Sequence, residues 1–230
     1  MNGNYFYELA AKYDAWFTTP HGRYVQHYEH EMIMDLADIK ADMDVADVGC
    51  GTGLYTEELC RLGAKVVGID ISPEMLEIAA KKTMLYQDQI KFVVGDAASI
   101  PFYDNSFDLV FSVTAMEFFQ KPKQCLHEMY RILRPGGHMV VATLNSLSLW
   151  SMQRRIKSLF TKTIFSHAHF YSIYDISNML KPHKITAWRG GIFIPPFAPK
   201  LAINNPELFE RIGQKLVPQL GAFVVVRIDK

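Results

Sequence analysis

The fold of this chain is decided at Val45-Ala-Asp-Val-Gly-Cys-Gly-Thr-Gly-Leu54. Apolar and β-branched residues run into three glycines on alternate positions, Gly49, Gly51 and Gly53, and a helical pattern, Leu54-Tyr-Thr-Glu-Glu-Leu-Cys-Arg-Leu62, follows. The stretch predicts a strand, a tight turn and a helix. A strand that reverses into a helix needs backbone angles that glycine adopts freely, and a ligand lying against the turn needs backbone with no Cβ in its way. Something is expected to bind there.

The dinucleotide fingerprint G-x-G-x-x-G is one pattern to weigh. Here its third glycine arrives one residue early and Leu54 stands in its place, so the match to an NAD(P)-dependent oxidoreductase is imperfect. Asp47-Val-Gly-Cys-Gly-Thr-Gly53 resembles instead the first motif of the class I S-adenosylmethionine-dependent methyltransferases, whose glycine turn passes under the methionine part of the cofactor.

Outward from the turn, Ala64-Lys-Val-Val-Gly-Ile-Asp70 reads as a second strand ending in a carboxylate. Ser72-Pro-Glu-Met75 then opens a helix, with Ser72 to cap free amides, Pro73 at the first helical position and Glu74 at the positive end of the dipole. Asp70 is thereby left at the carboxyl edge of a parallel sheet, where ligands sit and where a carboxylate can accept both ribose hydroxyls of a nucleoside. Ile90-Lys-Phe-Val-Val94 is a third strand, and Asp96-Ala97 after it resembles the methyltransferase position that contacts adenine; a turn cap is the alternative for Asp96. Ile100-Pro-Phe-Tyr-Asp-Asn-Ser-Phe-Asp-Leu-Val-Phe-Ser112 closely resembles the "LPF-x-D-x-SFD-x-V" stretch of the type 11 methyltransferases. The resemblance thus implies Asp47, Gly49, Gly51, Gly53, Asp70, Ile71, Asp96, Ala97 and Tyr13 as contacts of S-adenosylmethionine.

After the fourth strand comes Thr114-Ala-Met-Glu-Phe-Phe119, where the family often carries Glu-His. Phe118 after Glu117 removes the imidazole that would titrate near the transferred methyl, which argues against a general base from that position. Cys125–Leu133 is helical with Leu126, Met129, Tyr130 and Leu133 on one face, Glu128 and Arg131 form an exposed pair, and Pro135-Gly-Gly137 is expected to end the helix before a strand from His138 to Thr143. Toward the C-terminus, Ile185–Trp188 reads as a sixth strand, Gly190–Pro199 is too broken by proline for a central strand, Asn205–Val217 is a helix and Ala222–Ile228 a closing strand.

The flanks lie outside the resemblance to the core. Tyr5–Thr19 is aromatic, and Tyr13-Asp-Ala-Trp-Phe17 resembles the cap of small-molecule methyltransferases; covering a sheet edge is its other reading. Val25, Tyr28, Met32, Ile33 and Leu36 recur at helical spacing from Arg23 to Ala37. Leu149, Met152, Ile156, Leu159 and Phe160 form another stripe, with Arg154 opposite and Arg155 and Lys157 beside it, predicting a helix packed on the domain with a solvated cationic face rather than one lying on a membrane. In this fold the insertion after the fifth strand usually covers the methyl acceptor. Tyr13, His167, His169 and Tyr171 are therefore the candidates to orient or deprotonate it. His167-Ala-His169 lacks a third ligand at a recognisable spacing, so no metal is expected.

Composition sets the remaining bounds. A chain of 230 residues suits one α/β domain. It is divided into a helical cap (1–40), a cofactor core (41–145), a substrate-cover insertion (146–182) and a C-terminal part (183–230). Lys+Arg 24 balances Asp+Glu 24, which argues against nucleic acid or anionic membrane as a partner on overall charge. Cys50, Cys60 and Cys125 have no C-x-x-C spacing and read as reduced structural thiols. Without a basic leader or a membrane-length apolar run, a cytoplasmic protein without stable membrane insertion is expected. The expected fold is an α/β, Rossmann-like, doubly wound sheet of seven strands, mostly parallel with an antiparallel last strand. The expected activity is methyl transfer to a small, apolar or aromatic acceptor. An oxidoreductase and a non-catalytic module that binds S-adenosylmethionine or S-adenosylhomocysteine are the alternatives.

Overall fold

A computed structural model describes residues 18–160, 168–198 and 205–230, without the side chains of 159 and 160. Tyr5, Phe6, Tyr7, Tyr13, Trp16, Phe17, Phe165 and His167 lie outside the described residues, as do the Leu159 and Phe160 side chains. In chain order the main elements are α1 (Pro20–Ala37), β1 (Asp44–Val48), α2 (Leu54–Arg61), β2 (Lys65–Asp70), α3 (Pro73–Lys82), β3 (Ile90–Val94), β4 (Phe107–Val113), α4 (Pro122–Ile132), β5 (Leu133–Leu144), α5 (Leu149–Phe160), α6 (Ile173–Leu180), β6 (Ala187–Gly191), α7 (Pro206–Leu216) and β7 (Phe223–Asp229).

The seven strands form one sheet in the order β3-β2-β1-β4-β5-β7-β6. β1 pairs in parallel with β2 and β4, and β7 runs antiparallel to both β5 and β6. The expected doubly wound sheet with an antiparallel last strand is what the chain forms. Strand order reverses beside β1, between its neighbours β2 and β4, which is where a crevice opens outside the carboxyl ends of a parallel sheet. One face is covered by α1 and α2, through Val25, Met32, Ile33, Leu36 and Leu59. α4 and α6 cover the other, through Leu126, Met129, Ile132, Ile173, Ile176 and Leu180.

Three local expectations are corrected. The helix before β5 stops at Ile132 and Leu133 is already extended and paired with Phe107, so Pro135-Gly136-Gly137 falls inside β5, where the register with β4 shifts, instead of capping the helix. Glu128 and Arg131 are only partly exposed. Arg131 bonds both oxygens of Glu128, Asp104 and the carbonyls of Ile100 and Phe102, which pins the loop after β3. The third correction is α5. Its inward side is Trp150, Ser151 and Arg154, and its apolar residues Leu149, Met152 and Ile156 face solvent. The inward side combines Trp150, packed in the apolar core, with hydrogen bonds: Trp150 Nε1 donates to the Ile194 carbonyl at 2.8 Å, and the hydroxyls of Ser151 and of Ser148, just before the helix, both bond the Asn145 carbonyl. α6, within the expected cover insertion, buries Ile173, Ile176 and Leu180 in the core.

Candidate functional site

The turn after β1 is shaped by its backbone. Gly49, Gly51 and Gly53 have φ of 74, 53 and 76°, in the left-handed region. The amides of Gly49 and Cys50 both donate to the Ile69 carbonyl, at 2.7 and 3.1 Å, so the turn is tied to the end of β2. A Cβ on Gly49 would stand 2.4 Å from the Ala115 Cβ, whereas one on Gly51 would enter open space. Gly49 is thus glycine for packing, and Gly51 leaves bare backbone facing a cavity.

That cavity, about 300 Å³, lies at the carboxyl edge of the parallel strands. Gly49 and Gly51 line it from the turn, Asp70, Ile71 and Ser72 from the end of β2, Met75 from the start of α3, and Asp96, Ala97 and Ala98 from the end of β3. Thr114, Ala115, Phe118 and Phe119 close the side toward β4. The structure therefore brings together Gly49, Gly51, Asp70, Ile71, Asp96 and Ala97. Asp47 and Gly53 stand behind the wall. Asp47 is buried, accepts from the Thr56 hydroxyl at 2.6 Å, and burial pushes its carboxyl up to about 7. Gly53 caps α2 and packs on Ala79.

Asp70 joins the two edges of the cavity. One carboxylate oxygen accepts from the Gly51 amide and the other from the Ser72 amide, each at 2.9 Å. It fixes both the glycine turn and the start of α3, where Ser72 caps as expected by accepting from the Met75 amide. Asp96 satisfies its alternative reading as well as lining the cavity: Oδ1 accepts from the Ala98 amide at 2.8 Å in an Asx turn. Gln124 of α4 donates to the Ala98 carbonyl, so together with Glu128 and Arg131 this helix holds the loop that carries Asp96 and Ala97. Cys125 is at the cavity wall and burial pushes its thiol up to about 11, which keeps it protonated at neutral pH.

Of the four acceptor-side candidates, His169 has an exposed side chain, and its amide donates to the Glu117 carbonyl at 2.9 Å. Tyr171 is half-buried; desolvation, and then the Glu117 charge, raise its phenol. Neither lines the 300 Å³ cavity. What the sequence reading missed is a buried charge cluster next to it. Glu117 is 2 % exposed; Oε1 accepts from the Leu144 amide at 2.7 Å, while Oε2 has no hydrogen-bond partner among the described residues. Glu29 of α1 is buried, and the charges of Arg154 and Glu117 both act on it. Burial raises Glu29 to about 8 and Glu117 to about 7, the Arg154 charge opposing both shifts. A signal for Glu29 was present: it falls on the Val25, Tyr28, Met32, Leu36 stripe, a charged residue on an apolar helix face.

Comparison with known proteins joins this geometry to a family. Residues 46–141 match a family model described as a methyltransferase domain. A ubiquinone/menaquinone biosynthesis C-methyltransferase of Hahella chejuensis is 34% identical over 141 residues, 59% of this chain and 56% of the relative. A malonyl-[acyl-carrier protein] O-methyltransferase of the same organism is 34% identical over 128 residues, 54% of this chain and 44% of the relative. The chain thus spans about half the length of the curated relatives it matches. Over its whole course it superposes on a crystallised SAM-dependent methyltransferase of Thermotoga maritima with a TM-score of 0.71 and 23% identity, covering 98% of this chain and 97% of that one, a likeness of fold. The motif from Asp47 to Gly53, the sheet order and the matched core agree with a methyltransferase domain over residues 46–141.

Proposed function

We propose that this protein transfers the methyl group of S-adenosylmethionine to a small, apolar or aromatic acceptor. One observation carries the reading: a cavity at the carboxyl edge has bare glycine backbone at one end, carboxylates from two successive strand ends along it, and the Phe118 and Phe119 side chains at its wall. The residues fit the cofactor. Open space where a Gly51 Cβ would stand leaves room for its methionine part, Asp70 is oriented by two amides to receive the ribose hydroxyls, and Asp96 with Ala97 suits the adenine edge. When bound, the cofactor would supply a methyl group activated by a sulfonium.

The protein's share is positioning and exclusion of water. A methyl donor that loses its positive charge on transfer reacts faster in a dry site with the acceptor held in line, so no dedicated base is required. Phe118 in place of histidine agrees with that, and Phe118 and Phe119 give apolar walls. Glu117 and Glu29 lie deeper, with pKa values near neutrality that suit them to hold a proton close to the acceptor. Two relatives, named for a quinone-pathway C-methylation and for an acyl-carrier O-methylation, share the core, which supports a reading in which the segments outside 46–141 choose the acceptor. The helical cap (1–40) and the stretch 146–182 are proposed for that role, with Tyr13 and His167 among their residues.

Methyl-labelled cofactor incubated with cell extract, then fractionated into metabolites, lipids, protein and nucleic acid, tests the proposal. Label in an organic-soluble metabolite is the expected result; label chiefly in nucleic acid or protein would overturn the small acceptor. Calorimetry separates the alternatives. Affinity for S-adenosylmethionine with no labelled product identifies a binding module, and affinity for NADH alone identifies an oxidoreductase.

A further inference from the structure

The helix α5 is amphipathic in the wrong direction for a helix of a free-standing domain. At about 100° per residue, Leu149, Met152 and Ile156 fall within about 60° of one another, and they are 49, 52 and 53 % exposed. Gln153 adjoins this stripe, and Lys157 and Arg155 stand on its two sides, both exposed. Among its residues α5 carries Arg154, Arg155 and Lys157 and no acid. The geometry points to an anionic lipid surface as the partner: α5 lies in the headgroup plane, its apolar stripe entering the acyl boundary and Arg155 and Lys157 reaching phosphates from either side.

Two further observations bear on this choice of occupant. A lone apolar face would fit another protein equally, but an apolar stripe bordered on both sides by cations complements an anionic leaflet, and long cationic side chains reach headgroups while their stems cover apolar surface. The same inversion recurs in α7. Its inward side is Glu210 and Gly213, the latter against the Phe193 ring, while Leu208, Phe209, Ile212 and Leu216 are exposed beside Arg211 and Lys215. Both helices grip one segment: Trp150 of α5 bonds the Ile194 carbonyl, and Glu210 of α7 accepts from the Ile192 and Phe193 amides. Docking of this kind is peripheral, since among the described residues no helix is long and apolar enough to cross a membrane. It does not depend on the proposed methyl transfer, although it would give an apolar acceptor a route to the protein.

Flotation of the purified protein with phosphatidylcholine vesicles, with and without phosphatidylglycerol, tests it. Binding is expected only with phosphatidylglycerol and is expected to fall with salt. Arg155→Gln with Lys157→Gln should weaken it about 25-fold, from about fivefold for each cation removed, and Met152→Ser with Ile156→Ser should abolish it. These positions are exposed, so unchanged thermal unfolding is the control for folding. No flotation of the unaltered protein, or flotation unchanged in both double variants, overturns the inference. So does a dimer in light scattering that Met152→Ser with Ile156→Ser breaks while vesicle binding is absent, which would make the face a contact between two copies.

Discussion

At the carboxyl edge of β1 and β2 the polar groups are met by backbone, whereas behind Phe118 the carboxylates of Glu117 and Glu29 are buried within reach of the Arg154 charge. Asp70 accepts two amides and the amides of Gly49 and Cys50 share the Ile69 carbonyl. In the other region Glu117 accepts one amide and leaves Oε2 without a partner among the described residues. In the first arrangement each bond is made to a main-chain group fixed by the strand ends. The second stores its electrostatic cost in the protonation state of its carboxylates, so it responds to pH and to whatever binds beside it.

The sharpest way to break this comparison is at Gly49. An Ala there would hold φ of 74° and press its Cβ to 2.4 Å from Ala115, so strain and overpacking together should cost about 2–5 kcal/mol in urea unfolding. Gly51→Ala meets no neighbour within 4 Å; it should keep most of the stability and instead lose cofactor affinity, because its methyl occupies the cavity. Equal stability losses would mean that the turn is not held by its contact with Ala115.

Asp70→Ala comes next. It strips an acceptor from both the Gly51 and the Ser72 amides, and charge-assisted bonds of this kind suggest a loss of about 2–3 kcal/mol in S-adenosylhomocysteine binding, roughly 30–160-fold in Kd by calorimetry. His169→Ala, with its exposed ring, should change Kd by less than about twofold. Similar losses in the two variants would mean that the cofactor lies elsewhere.

The buried carboxylates make a smaller prediction with a definite sign. Asp47 and Glu117 are raised to about 7 and Glu29 to about 8, so the folded protein binds protons that the unfolded chain releases. Their contribution to stability is complete below about pH 4, is lost as pH rises through 7 to 8, and unfolding should therefore be easier at pH 8 than at pH 5. Glu117→Gln keeps an oxygen for the Leu144 amide and removes one ionisation, in a setting that also contains Glu29, Arg154 and Tyr171. It should be about 1–2 kcal/mol more stable than the parent at pH 8, with little difference at pH 5. A parallel pH profile for parent and variant would exclude Glu117 as a titrating group.

How much was legible follows the same division. The glycine turn, Asp70 and the Asx turn at Asp96 depend on short-range backbone rules, and their residues spell those rules out in order. The sheet topology followed from strands and helices in alternation with the family's pattern. Glu29, Glu117 and Arg154 meet from three distant points of the chain, and nothing in local spacing says that they share an interior. α4 and α5 illustrate the remaining limit. Both have clear apolar stripes, but a stripe states only that a helix has two faces, and which face turns inward depends on what the rest of the fold offers it. α4 meets the apolar undersurface of β4 and β5, while the inner side of α5 finds carbonyls at Asn145 and Ile194 for Ser151 and Trp150.

The smallest effect, at Ile156, tests that last contrast against a large one. Leu126 of α4 is fully buried, and Leu126→Ala should cost about 2–5 kcal/mol because the lost transfer energy is joined by a cavity that the surrounding strands cannot close. Ile156 of α5 is 53 % exposed, and Ile156→Ser removes little that the fold itself uses, so its effect on urea unfolding should stay within about 0.5 kcal/mol. Ser151→Val on the inner side of α5 should cost more than Ile156→Ser despite adding apolar volume, since the Ser151 hydroxyl donates to the Asn145 carbonyl and valine leaves that buried acceptor one partner short. If Ile156→Ser proved as costly as Leu126→Ala, α5 would be packed apolar side inward in solution, and the inverted helix would be wrong.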